Sequence, residues 1–129
     1  MTIRIWILAA SVNGFLAVAA GAAVGHLFAA DAHRAALMST GAQYAMYHAL
    51  ALLALAALAG ASEHGVDRSL AIAAWLFTAG TVLFSGSLYL LALTGIRALA
   101  WVTPFGGTAF LLGWLSLGVF AWRRRRPLP

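Results

Sequence analysis

Neither cysteine nor lysine occurs in this 129-residue chain. Without cysteine there is no disulfide, no thiolate nucleophile and no thiolate-held zinc or iron–sulfur cluster. Without lysine there is no Schiff-base chemistry. Charge is scarce too: 9% of the residues are charged and 64% are hydrophobic, whereas a soluble domain carries about 25% charged residues. A water-facing surface cannot be built from that composition, so lipid has to cover this one. The acidic residues are Asp31, Glu63 and Asp67 alone. All three fall between apolar runs, which removes the intramembrane carboxylate on which proton-coupled transport usually depends.

The chain itself is four apolar runs, predicted as membrane-spanning helices at about 5–29, 43–61, 70–93 and 104–122. Each has the ~20 residues that a bilayer core requires, and together they leave no room for a second, soluble domain. The first run also has some features of a signal peptide, but it continues past the small residues 19–23, and an uncleaved helix is the expectation. Asp31 to Thr40 is too polar to cross and is expected to form a short interfacial helix. Pro104 suits the first turn of the last helix, where its missing N–H costs nothing.

Orientation follows from the arginines. Four spans put both termini on one side, with Arg4, Arg68, Arg123, Arg124, Arg125 and Arg126, against Arg34 and Arg97 opposite. Positive charge collects in the cytoplasm, so both termini are expected there. The arginine run after the last span either sets this topology or binds anionic lipid; nucleic acid is a poor explanation for it. Trp6, Trp101 and Trp122 fall at span ends, where an amphipathic ring is comfortable, while Trp75 and Trp114 lie deeper, as packing residues.

Small residues recur in the first span. Asn13, Ala17, Gly21, Gly25 and Ala29 are spaced by four, either a packing seam inside the bundle or a homo-oligomer contact, since small residues allow close helix approach in lipid. Polar residues collect toward the outer half. His26 lies near the outer end of the first span, Gln43, Tyr44, Tyr47 and His48 in the outer turns of the second, Ser85, Ser87 and Tyr89 in the outer third of the third, and Thr103 and Thr108 at the start of the fourth. Polar groups in hydrocarbon need partners, so these residues are expected to meet.

Several readings of that layer stay open. The residues satisfy one another and fix helix register; or His26 and His48 bind a metal ion, a haem or a quinone headgroup; or the layer is a path for protons or a small solute. Hydrolysis is weaker still, because Phe84-Ser85-Gly86-Ser87 is not a Gly-x-Ser-x-Gly elbow. No metal or cofactor is assigned.

Three stretches carry a family likeness: Thr40-Gly-Ala-Gln-Tyr-Ala-Met-Tyr-His-Ala-Leu50, Leu83-Phe-Ser-Gly-Ser-Leu-Tyr-Leu-Leu-Ala-Leu-Thr-Gly95, and Thr103-Pro-Phe-Gly-Gly-Thr-Ala-Phe-Leu-Leu-Gly-Trp114. Together they resemble the small YgdD/YwdK-like membrane proteins of bacteria, a family of unknown function related to a small mitochondrial membrane protein of animals. The likeness covers nearly the whole chain. It departs at Gly21-Ala-Ala-Val-Gly25-His26-Leu27, where the family usually has Gly-Ala-Phe-Gly-Ala-His-Gly. The resemblance implies a four-span inner-membrane protein without an established substrate. It also implies close helix approach at Gly86, Gly106 and Gly107, with Gly113 a further packing position.

The expectation is therefore an all-α polytopic membrane protein: one four-helix bundle domain over 1–129, with a short interfacial helix between the first and second spans, in the bacterial inner membrane. The expected role is noncatalytic, that of an accessory or assembly partner acting through helix–helix contacts. The alternative is a small-ligand binder built on the His/Tyr/Ser cluster. Partners would be the lipid bilayer and a larger membrane complex or a homo-oligomer.

Overall fold

The computed structural model describes residues 2–124; Arg125 and Arg126 of the arginine run lie outside the described residues. The elements are α1 (Thr2–Leu27), α2 (Ala32–Gly60), α3 (Arg68–Thr94), a short 3-10 helix (Arg97–Trp101) and α4 (Thr103–Arg123). All four long helices are long and apolar enough to cross a membrane, the last together with the 3-10 helix before it. The all-helical, four-span fold class is as expected.

Local chemistry sets the helix ends. Asp31 caps α2 by accepting from the Arg34 N–H at 3.0 Å, and its other oxygen lies 3.4 Å from Arg34 Nε. Asp67 caps α3 by accepting from the Ser69 N–H at 2.7 Å. Two of the three carboxylates thus serve the unpaired amides of helix N-termini, for which Asp is well suited. Gly95 ends α3 in the left-handed region, φ 71°, and its N–H bonds Leu91 O, as helix C-termini commonly do with glycine. Pro104 stands in the first turn of α4.

Two expectations need correction. Asp31 to Thr40 is helical from Ala32 on, but it is no separate interfacial helix: it runs unbroken into α2. Nothing in that alanine-rich stretch breaks a helix, and the sequence boundary at Gln43 followed hydropathy, which senses lipid rather than hydrogen bonding. The resulting 29-residue helix is ~43 Å long and exceeds the ~30 Å hydrocarbon core. The short helix lies instead between α3 and α4.

The second correction concerns α1. Its buried stripe is Trp6, Ala10, Asn13, Ala17 and Ala20, alternating four and three. Gly21 and Gly25 are exposed, and a Cβ added at either would meet nothing within 4 Å. A strict spacing of four advances about 40° per step around a 3.6-residue helix, so Asn13 to Ala29 cannot hold one face.

The helices pack in chain order, α1 on α2, α2 on α3 and α3 on α4, and among the described residues α1 and α4 do not pack on each other. The core has two parts. Toward the end carrying Thr2 and Arg123, Trp6, Leu52, Leu55, Leu70, Phe77, Phe110 and Phe120 belong to one continuous cluster that spans the row of helices. At the opposite end Phe28, Met38, Ala42 and Ala92 form a smaller cluster.

Candidate functional site at the junction of α2, α3 and α4

Several hydroxyls within the spans bond the carbonyl one turn back on their own helix: Ser11 to Ile7, Thr78 to Ala74, Thr81 to Phe77, Thr94 to Leu90 and Thr108 to Pro104. That satisfies them without a neighbour. Ser85 and Ser87, which reach other helices, define the site.

Ser85 of α3 is buried and donates to the carbonyl of Gly41 on α2 at 2.7 Å. The approach depends on Gly41 itself, where an added Cβ would lie 2.7 Å from Tyr89 Cε1 and 3.4 Å from Leu88 Cβ. Ser87 donates to the Phe84 carbonyl at 2.9 Å and lies 2.7 Å from Thr103 Oγ1. Its single proton being used, Thr103 is the donor of that second bond. Three residues beyond Thr103, Gly106 lets α4 settle on α3: an added Cβ would lie 2.7 Å from Phe84 Cα.

His48 lies deeper, among rings. It is 4% exposed and stacks on Phe110 with centroids 3.5 Å apart and planes 4° apart. Phe77 and Trp114 are 5.1 and 6.1 Å away. Trp114 Nε1 donates to His48 Nε2 at 3.3 Å, and His48 Nδ1 lies 2.8 Å from Tyr44 O. Indole only donates, so Nε2 accepts and Nδ1 carries the proton. Both ring nitrogens of this neutral imidazole are engaged, which leaves no lone pair for a metal.

The structure puts Ser85 and Tyr89 of α3 beside Gly41 of α2, Ser87 beside Thr103 of α4, and His48 deeper beside Phe77. Among the described residues no hydrogen bond joins Ser85, Ser87, Tyr89 and His48 to one another, and His26 meets none of them. Gly60 faces Ile3 across the α1–α2 pair, which puts His48 level with about residue 15. His26 is then some eleven residues, ~16 Å, further along α1, exposed in its last turn. The expected common depth of the two histidines is thereby corrected. Hydropathy placed their spans, but α2 begins eleven residues earlier than its apolar run. Gln43 and Tyr47 face outward, and Tyr44 is 39% exposed with its ring 4.7 Å from Phe84.

Among the glycines, Gly113 sits under Phe77, whose Cδ1 would be 2.6 Å from an added Cβ. Gly107 has ordinary room beside Phe84, and Gly86 has open space. Ala17 is buried on the α1 stripe. Sequence reasoning missed Gly41, Gly80, Phe110 and Ser116. Gly80 lies under Phe110, and Ser116 donates to the Ser69 carbonyl across the α3–α4 pair at 2.8 Å. A lone serine in an apolar span was the available signal for Ser116; Gly41 had none beyond its motif, and Gly80 had none. Trp6 Nε1, Asn13 Nδ2 and Tyr89 OH are buried without a hydrogen-bond partner. No group of three metal-ligating side chains exists among the described residues. Chemically the junction is a set of clasps: α2 to α3 through Ser85, α3 to α4 through Ser87, and α2 to α4 through His48.

Residues 20–107 match the family described as "Protein of unknown function (DUF423)". The chain is 42% identical over 120 residues to "UPF0382 membrane protein YwdK" of Bacillus subtilis, covering 92% of this chain and 96% of that one. It belongs to this family. A second relative, "UPF0382 inner membrane protein YgdD" of Escherichia coli K12, is 39% identical over 134 residues, 98% of this chain and 95% of its own. A "UPF0382 membrane protein" of Haemophilus influenzae is 40% identical over 109 residues, 83% and 85% of the two chains. No solved structure matches. The family expected from the three motifs is confirmed, and with it an integral membrane protein. The DUF423 segment takes in Gly41, His48, Ser85, Ser87 and Gly106 and stops short of Phe110 and Trp114.

Proposed function

We propose that this DUF423 protein is a single noncatalytic four-helix membrane domain that acts through helix contacts, as an accessory or assembly partner in a larger inner-membrane complex or as a homo-oligomer. The observation that carries this is α1. It packs on α2 along one narrow stripe, and its outward face, with Gly21 and Gly25 opposite open space, has no partner of its own chain within 4 Å of those glycines. Small residues facing lipid offer another helix close approach, which drives association where apolar attraction cannot. The clasp residues support a noncatalytic role, because their donors and acceptors are directed at backbone carbonyls and at each other.

The inner membrane is the location named for the Escherichia coli relative, and the arginine balance of six against two supports cytoplasmic termini. The test is native mass analysis after extraction in mild detergent. Assemblies that Gly21→Leu or Gly25→Leu dissociate are expected; a solitary monomer under every condition would refute the proposal.

A further inference from the structure

Where α3 begins and α4 ends, a half-open cleft of ≈ 290 Å³ is lined by Arg68, Ser69 and Ile72 from α3 and Ser116, Val119 and Arg123 from α4. Both arginines are exposed, and among the described residues neither is within 4.0 Å of a carboxylate. The nearest acid in sequence, Asp67, accepts from the Ser69 N–H as the α3 cap. The Ser116 hydroxyl is taken up by the Ser69 carbonyl, so the guanidinium groups are the cleft's available donors. The cleft does not end in water. Val119 also lines an open apolar trough of ≈ 720 Å³ on α4, which runs from Leu111 past Trp114, Leu115 and Gly118 to Trp122. From Leu111 to Trp122 the trough is ~17 Å long, close to the ~15 Å of one leaflet's hydrocarbon.

We infer that cleft and trough together form a binding site for an anionic phospholipid of the leaflet that faces the arginine-rich ends. Arg68 and Arg123 hold its phosphate headgroup, and one acyl chain lies along α4 from Trp122 past Trp114 toward Leu111. Guanidinium matches phosphate oxygens in a fork that a hydrated cation does not, and basic pockets between spans recognise lipid headgroups in this way. The trough selects the source of the phosphate, since a soluble anion gains nothing from seventeen ångströms of apolar wall. The inference does not depend on the accessory role proposed above.

The test uses the full chain, purified in mild detergent, stripped of lipid and titrated with phosphatidylglycerol or phosphatidylcholine in native mass spectrometry. Each arginine at an anionic headgroup contributes a preference of about fivefold. Wild type is expected to prefer phosphatidylglycerol by about 10- to 25-fold, Arg123→Gln by about fivefold, and Arg68→Gln/Arg123→Gln by less than about twofold. Arg124→Gln removes the same charge from a side chain that lies instead over the Phe120 ring, and it is expected to keep the wild-type preference. Gly118→Leu fills the trough at a position with open space; it should weaken both lipids several-fold while keeping their ratio. Inorganic phosphate at the lipid's concentration should displace nothing. The site is ruled out by equal affinity of wild type for the two lipids, by an undiminished preference in the double variant, by equal loss in Arg124→Gln, or by displacement with inorganic phosphate.

Discussion

At Gly106 the α4 backbone lies so near Phe84 that a single methyl group has no place, whereas Gly118 on the same helix faces open space. The pair therefore predicts opposite outcomes for one substitution. Gly106→Ala is expected to destabilise by ~1–3 kcal/mol through overpacking, while Gly118→Ala should be neutral or gain up to ~1 kcal/mol from helix propensity; unfolding in detergent measures both. At His48 the stack on Phe110 is kept in one variant and lost in another. Trp114→Phe loses the indole donor together with part of the ring that packs on Phe77, and should cost ~1–2 kcal/mol; His48→Ala opens a cavity against Phe110 and should cost ~2–4 kcal/mol. Equal losses in the two variants would show that the stack contributes nothing. That Ser85, Ser87 and His48 matter was legible, because polar atoms in hydrocarbon need partners. Their partners were not. The acceptor of Ser85 is the carbonyl of Gly41, and a main-chain oxygen leaves no mark in a sequence.

Among the helices, span number, order and approximate limits could be read because each needs a long apolar run between charged turns. Rotation about the helix axis could not. In α2, leucine and alanine occupy every side, so hydropathy does not distinguish buried Leu52 and Leu55 from Leu50, which is 57% exposed. The same ambiguity hid the outward direction of Gln43 and Tyr47 and the true stripe of α1. The continuity of α2 through Ala32 to Thr40 is open to direct test, made simple by a chain that carries no native thiol. Single cysteines from position 32 to 46, labelled with a membrane-impermeant maleimide, should show protection recurring about every 3.6 residues, in phase through Met38, Gly41, Ala42 and Ala45, all buried. A phase break near Thr40 would mean two helices rather than one.

For the molecule as a whole, the arginine distribution predicts that reporters fused to either end are active only when the reporter works in the cytoplasm. Opposite readings from the two ends would contradict an even number of crossings. The row of helices has a further result. Because packing follows chain order and the first and last helices stay apart, the bundle divides naturally at the exposed turn around Gly65 into two hairpins, each already holding its own strongest partner. Fragments ending and restarting at that turn, produced together in one cell, should find each other in the bilayer and rebuild the intact fold.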